Sequence, residues 1–411
     1  MTSLESPRGP FEMPEISGDG SQIAYIAARE DGPHPHDLYL KTINGGGTRN
    51  LTGQSIDGPV GHYVWLKDGT ILAAVSSGFR NLFTWIATDG QVRAVPGWSV
   101  NPSDFSVADD GIIAFVSGNA TQLPELWLWN GSSPPEKVSC FQESWSKIAL
   151  LQPELIQYRS FDGTSIEASL LKPVGYRDNT RVPLVVLVHG GPTGNWSDRF
   201  DAWGQMLASR GFAVLNPNVR GSTGYLHRFL EANPADWGGG DFRDIMSGVD
   251  YLIGRGVAAP DRLGIGGWSY GGYMAAWAIT QTNRFKAAVA GAGMSDLASE
   301  FGTEPKPAYD RWYYGLPCEN PERFAKSSPI AYIKKARVPT LILQGEADTK
   351  DPIGQSQQLC RGLKYYGVKS EFVVYPREGH SIREEKHQLD MYRRILAWLE
   401  TYLKQHEAGN S

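Results

Sequence analysis

Residues 266–277 read Gly-Gly-Trp-Ser-Tyr-Gly-Gly-Tyr-Met-Ala-Ala-Trp, four glycines around one serine. The short run Arg262-Leu263-Gly264-Ile265 precedes it, and Met274-Ala275-Ala276-Trp277-Ala278-Ile279 follows with the look of a buried helix. A strand that turns into a helix with its flanks stripped of side chains demands close backbone approach at the turn. Gly267-Trp268-Ser269-Tyr270-Gly271 matches Gly-x-Ser-x-Gly, in which a strained turn holds a serine hydroxyl out at the top of a sheet. A dinucleotide turn is the rival, since Gly264-Ile265-Gly266 also follows a strand. Its third glycine would fall on Ser269, which leaves that fingerprint incomplete.

The surroundings suit such a turn. From about residue 156 strand patterns alternate with helix patterns. Val182-Pro-Leu-Val-Val-Leu-Val188 is continuously apolar, as a strand buried on both faces of a parallel sheet must be. Further strands are expected over 212–215, 340–343 and 371–375, and helices over 241–253 and 383–403. In the last helix Leu389, Tyr392, Ile395, Leu396, Leu399 and Leu403 fall on one face at helical spacing. Alternation of this kind predicts an α/β fold with a doubly wound sheet, whose ligands bind at the carboxyl ends of the strands.

Residues 12 to about 145 read differently. Short apolar runs are broken by Asp-Gly, Asp-Asp-Gly and Asn-Gly turns, the pattern of antiparallel hairpins. Turn, strand, loop and aromatic-rich strand recur about every 40 to 45 residues, a period typical of propeller blades. Three such units are present; a β-sandwich with coincidental spacing is the alternative. The expected organisation is a small all-β domain of propeller-like blades over 1–145, then an α/β-hydrolase domain over 146–411.

A serine nucleophile needs a base, and the base needs an acid to orient it. In α/β-hydrolases the chain order is Ser, acid, His. Downstream of Ser269, the 340–343 strand runs into Gln-Gly-Glu-Ala-Asp-Thr-Lys-Asp-Pro, and the 371–375 strand runs into Pro-Arg-Glu-Gly-His-Ser. His380 therefore lies at a strand end in the required order. Glu346, Asp348 and Asp351 compete for the acid; Asp348 sits one short turn past its strand and Asp351 is the reserve. His387 falls inside the final helix and His189 in a different loop. His34 and His36, in a Pro-rich loop, have no partner at metal-ligand spacing. The oxyanion also needs donors. The Tyr270 N–H, directly after the serine, is one, and the Val188-His-Gly-Gly-Pro192 loop is placed to supply another.

Taken together, these residues resemble the prolyl oligopeptidase family of serine peptidases, in particular its acylaminoacyl-peptidase and dipeptidyl-peptidase-like branch. The resemblance runs over about 156–405, through His-Gly-Gly-Pro at 189–192, Asn-Val-Arg-Gly-Ser-Thr-Gly-Tyr at 218–225, Gly-Trp-Ser-Tyr-Gly-Gly-Tyr-Met at 267–274, Ser-Pro-Ile at 328–330, Gly-Glu-Ala-Asp at 345–348 and Tyr-Pro-Arg-Glu-Gly-His at 375–380. It implies Ser269 as nucleophile, Asp348 as orienting acid and His380 as base, with the N–H groups of Gly191 and Tyr270 as oxyanion hole. It also implies an N-terminal propeller. Family propellers have seven or eight blades, so three units predict an open active-site mouth or a homodimer through this region. Where the family often has valine three residues after the catalytic acid, beside the substrate pocket, this chain has Asp351. Trp312 joins Asp351 as a candidate for that pocket.

Composition bounds the partners. The net charge is −5 over 411 residues, so no basic field draws nucleic acid or anionic lipid. No stretch of about 18 apolar residues suggests a membrane span, and the first ten residues lack the apolar core of a signal peptide. Three scattered cysteines fit a reducing compartment, so a cytoplasmic protein is expected. The expected activity is serine-type hydrolysis of peptides or N-acyl-aminoacyl substrates, needing no metal or cofactor. The same triad acting on a non-peptide ester, amide or lactone is the second reading.

Overall fold

Hairpin chemistry accounts for the first part of the chain. The computed structural model describes residues 9–95, 101–305 and 307–404. Up to Lys137 the strands form three four-stranded antiparallel sheets, each taking its strands in chain order. The first holds β1 (Glu12–Ile16), β2 (Gln22–Ala27), β3 (Asp37–Thr42) and β4 (Thr48–Asn50). The second holds β5 (Val60–Trp65), β6 (Ile71–Ser77), β7 (Arg80–Ile86) and β8 (Val92–Ala94). The third holds β9 (Asn101–Val107), β10 (Ile113–Asn119), β11 (Gln122–Trp129) and β12 (Glu136–Lys137). One device opens each sheet: Asp19, Asp68 and Asp110 accept the backbone N–H two residues on, around a glycine of positive φ.

Period-two alternation then sends the two faces of β6 into different cores. Ile71, Ala73 and Val75 pack with Ala24, Ile26, Leu38 and Leu40 of the first sheet. Leu72 and Ala74 pack with Phe105, Ile113, Phe115 and Trp129 of the third.

The chain divides into two compact units. One runs to Leu150 and also takes in Ser197–Phe200 and Thr223–Leu230; the other holds Leu151–Trp196, Asp201–Ser222 and the chain from Glu231 onward.

The second unit is organised by one eight-stranded sheet, whose strands are β13 (Glu154–Arg159), β14 (Ser165–Leu171), β15 (Val182–Val188), β16 (Ala213–Pro217), β17 (Ala258–Trp268), β18 (Phe285–Gly291), β19 (Thr340–Gly345) and β20 (Ser370–Tyr375). Their order is β13-β14-β16-β15-β17-β18-β19-β20. The β13–β14 and β14–β16 pairs are antiparallel and every later pair is parallel. Among the described residues the α-helices of the whole chain are α1 (Ala202–Ser209), α2 (His227–Leu230, part of the first unit), α3 (Gly240–Gly254), α4 (Tyr270–Gln281), α5 (Leu297–Phe301), α6 (Pro307–Tyr314), α7 (Pro321–Ser327), α8 (Ile353–Tyr365) and α9 (Glu385–Leu403).

Val185, Leu187, Val289, Leu341 and Leu343 share a core with Leu207 of α1 and with Met391, Ile395, Leu399 and Leu403 of α9. Each fully buried aliphatic side chain of this kind contributes about 1.5–3 kcal/mol. One expectation fails here. Leu389 is 46% exposed, because α9 presents the row 391-395-399-403 to the sheet and residue 389 lies off that row.

Candidate active site

The serine turn is built as sterics require. β17 ends at Trp268, α4 begins at Tyr270, and Ser269 between them has φ 59° and ψ −122°. A non-glycine residue in that region costs about 1–3 kcal/mol. Two backbone hydrogen bonds hold it there: Ser269 N–H to the Gly291 carbonyl and Tyr273 N–H to the Ser269 carbonyl, both 2.9 Å. A single acceptor, the carbonyl oxygen of Val188, excludes side chains on both flanks. A Cβ would lie 2.4 Å from it at Gly267 and 2.0 Å from it at Gly271.

The loops after β19 and β20 bring the acid and the imidazole together. His380 Nδ1–H donates to Asp348 Oδ2 at 2.9 Å. Gln344 Nε2 donates to the same oxygen at 2.9 Å, and Oδ1 accepts the N–H groups of Lys350 (2.9 Å) and Asp351 (3.1 Å). Asp348 is buried with its oxygens saturated, so imidazole and carboxylate hold a fixed mutual orientation. Of the three competing acids, Asp348 alone makes this contact; Glu346 is exposed and accepts from Arg377 N–H. Two anchors sequence reasoning missed hold the His380 loop. Trp268 Nε1–H donates to the His380 carbonyl at 2.6 Å. The buried Glu378 carboxylate accepts the Arg383 and Glu384 N–H groups at the start of α9 and the His387 Nδ1–H. Among the described residues Ser269 and His380 are not hydrogen-bonded to one another; the carboxylate of Asp351 faces both.

The loop after β15 adjoins the serine. A Cβ on Gly190 would lie 3.5 Å from the Ser269 Cβ, and Gly191 has φ +127°. His189 is buried, donates from Nδ1 to the Gly190 carbonyl at 2.8 Å, and sets Nε2 2.8 Å from the Ser222 hydroxyl. Burial lowers its pKa to about 4, so it is neutral and braces the loop. Tyr270 is the first residue of α4, so its N–H has no helical carbonyl to meet. Its ring is buried and its hydroxyl donates to Asp241 of α3, whose own pKa burial raises to about 7.

Tyr309 of α6 meets the Thr193 hydroxyl at 3.2 Å, so that helix borders the same loop. Trp312, on the same helix, is 40% exposed, and no ring contact or hydrogen bond joins it to Ser269 among the described residues. The Glu378, Glu384 and His387 side chains lie close enough to share a cation. Glu378, however, already accepts three hydrogen bonds, from the Arg383 and Glu384 N–H groups and His387, and Glu384 is paired with Arg377.

Residues 198–406, just over half of the chain, match the model of the prolyl oligopeptidase family. The chain is 35% identical over 356 residues to the uncharacterized peptidase YuxL of Bacillus subtilis (strain 168), covering 83% of this chain and 53% of that protein. It is 28% identical over 378 residues to an acylamino-acid-releasing enzyme of Arabidopsis thaliana, covering 83% of this chain and 49% of the relative. Among solved structures it is similar to an acylaminoacyl peptidase in complex with Z-Gly-Gly-Phe-chloromethyl ketone, at a TM-score of 0.85 and 26% identity. That match covers 95% of this chain and 63% of the other. The chain thus spans about half the length of these curated relatives.

Proposed function

Because this chain belongs to the prolyl oligopeptidase family, we propose that it is a serine peptidase that cleaves peptide or N-acyl-aminoacyl bonds through an acyl-enzyme. The observation that carries this reading is the hydrogen bond between His380 and Asp348 at the rim of the sheet that holds Ser269 in its elbow. In the proposed cycle the Ser269 hydroxyl attacks the scissile carbonyl while His380 takes its proton. Asp348 keeps the imidazole in the right tautomer and stabilises it when charged. The developing oxyanion accepts the N–H groups of Gly191 and Tyr270. His380 then protonates the leaving amine, and water repeats the sequence on the ester to release the acid.

A peptide on the acyl side is supported by the peptide-derived ligand that the similar acylaminoacyl peptidase carries. A fluorophosphonate probe tests the mechanism. It is expected to label the protein in proportion to its hydrolysis of N-acyl-aminoacyl amides, with labelling and hydrolysis both lost in Ser269→Ala. Labelling that persists in Ser269→Ala would overturn the assignment.

We read the three N-terminal sheets as propeller-type blades, on the support of their shared face-to-face cores and repeated Asp-Gly turn. The third sheet exposes Leu126 and Leu128 of β11. An exposed apolar sheet face supports self-association through this region; light scattering that reports a clean monomer would remove it. Cys140, Cys318 and Cys360 are free thiols, which fits a cytoplasmic setting. No helix among the described residues is long and apolar enough to cross a membrane.

A further inference from the structure

Asp351 is 5% exposed, and its Oδ2 accepts no hydrogen bond. The Ser269 hydroxyl is the hydrogen-bonding group beside this carboxylate; a buried carboxylate oxygen left without a partner is costly and calls for a ligand. The carboxylate lies near Ser269, His380 and Glu300. Glu300, on α5, is 2% exposed, and its Oε2 is equally unpartnered. Asp310, on α6, extends the series by facing both Glu300 and Asp351. Among the described residues none of these three acids forms a salt bridge. Burial and then repulsion from neighbouring acids (Glu304 and Asp351 on Asp310; Asp351, Asp310 and Glu304 on Glu300) push Asp310 up to about 7 and Glu300 up to about 10; burial pushes Asp351 up to about 6. All three directions describe a pocket short of positive charge.

We propose that this pocket binds the cationic side chain of an arginine or lysine that supplies the scissile carbonyl. The inference rests on Ser269 being the nucleophile. A free α-ammonium offers the same charge, but it sits one atom from the carbon that bears the carbonyl. It would stay beside the scissile carbonyl, whereas a long side chain carries its charge away from Ser269 toward Glu300, a second buried acid near Asp351. These carboxylates do not bring three ligand oxygens within 4.8 Å of one another, which favours an organic cation over a metal ion. Asp351, in the loop after β19, and Glu300, on α5, lie more than forty residues apart in the chain, so the pocket exists only in the folded protein.

The test compares kcat/KM for N-acetyl-arginyl, N-acetyl-lysyl, N-acetyl-leucyl and unblocked leucyl coumarin amides on enzyme that labels with the fluorophosphonate. The arginyl and lysyl substrates are expected to exceed the N-acetyl-leucyl one by at least about tenfold, with the ratio falling toward one in Asp351→Asn. Benzamidine is expected to slow labelling of the unmodified enzyme, a readout that does not depend on the variant folding. Equal rates for blocked arginyl and blocked leucyl substrates on enzyme that labels would overturn the pocket and leave the hydrolase reading intact. Faster cleavage of unblocked leucyl than of blocked arginyl would overturn the side-chain assignment. Absence of labelling would overturn the hydrolase reading and this inference with it.

Discussion

The indole N–H of Trp268 donates to the carbonyl of His380 across 112 residues of chain. It ties the residue before the serine to the loop that carries the imidazole. Trp268→Phe keeps the ring and removes the donor, leaving a carbonyl unpaired in a partly buried site. The expected result is a loss of about 1 kcal/mol in stability by urea unfolding. A fall in kcat with little change in KM should accompany it, because the indole N–H holds the loop that carries His380.

Gly271 and Gly254 make opposite predictions from one chemical change. A methyl at Gly271 would lie 2.0 Å from the Val188 carbonyl, so Gly271→Ala must displace either β15 or α4. A loss of about 3 kcal/mol or more, or failure to fold, is expected. A methyl at Gly254, at the end of α3, meets nothing within 4 Å. Gly254→Ala is expected to be neutral or to gain about 0.5–1 kcal/mol. Paired denaturant melts check both.

Asp348→Asn preserves shape but reverses the hydrogen-bonding sense of a group that now accepts from His380, Gln344, Lys350 and Asp351. A drop in kcat of about 10³–10⁴ is expected, with most of the folding stability retained. Pre-steady-state acylation on an activated ester measures it.

Asp241 makes a pH prediction with a definite sign. Its folded pKa is raised to about 7 by burial, above its ordinary value of 3.8. The folded state therefore holds the proton more tightly than the unfolded chain. The contribution is fully favourable below pH 3.8 and declines as pH rises toward 7. Asp241→Asn removes this titration. Its stability relative to the unmodified protein should rise across that window and level off above it. Urea melts at several pH values check the difference, which cancels opposing groups such as His189.

Elements whose cause is local were legible from the chain alone. The glycines around Ser269 answer to one carbonyl a few ångströms away, and a strand-to-helix turn without side chains has few other uses. The Asp-Gly turns form because a carboxylate two residues back accepts the N–H that a positive φ exposes. The order of Ser269, Asp348 and His380 follows from strands that each end in a loop at one edge of a parallel sheet.

What needed the folded chain depends on where distant segments come to rest. Sequence put Asp348 ahead of Glu346 and Asp351 by its place one short turn past the strand; that its carboxylate meets His380 follows from how the loop after β19 bends toward the loop after β20. Helical periodicity put Leu389 on the buried face, but the buried row of α9 is set by the sheet it crosses, and Met391 takes the place. Nothing near residues 197–200 or 223–230 marks them as belonging with the N-terminal sheets. Asp351 stands in the sequence as a candidate for the substrate pocket, whereas Glu300 and Asp310 carry no sequence signal, and only packing brings them near it. Short-range sterics and turn hydrogen bonds are written residue by residue, whereas burial and charge proximity are properties of the assembled core.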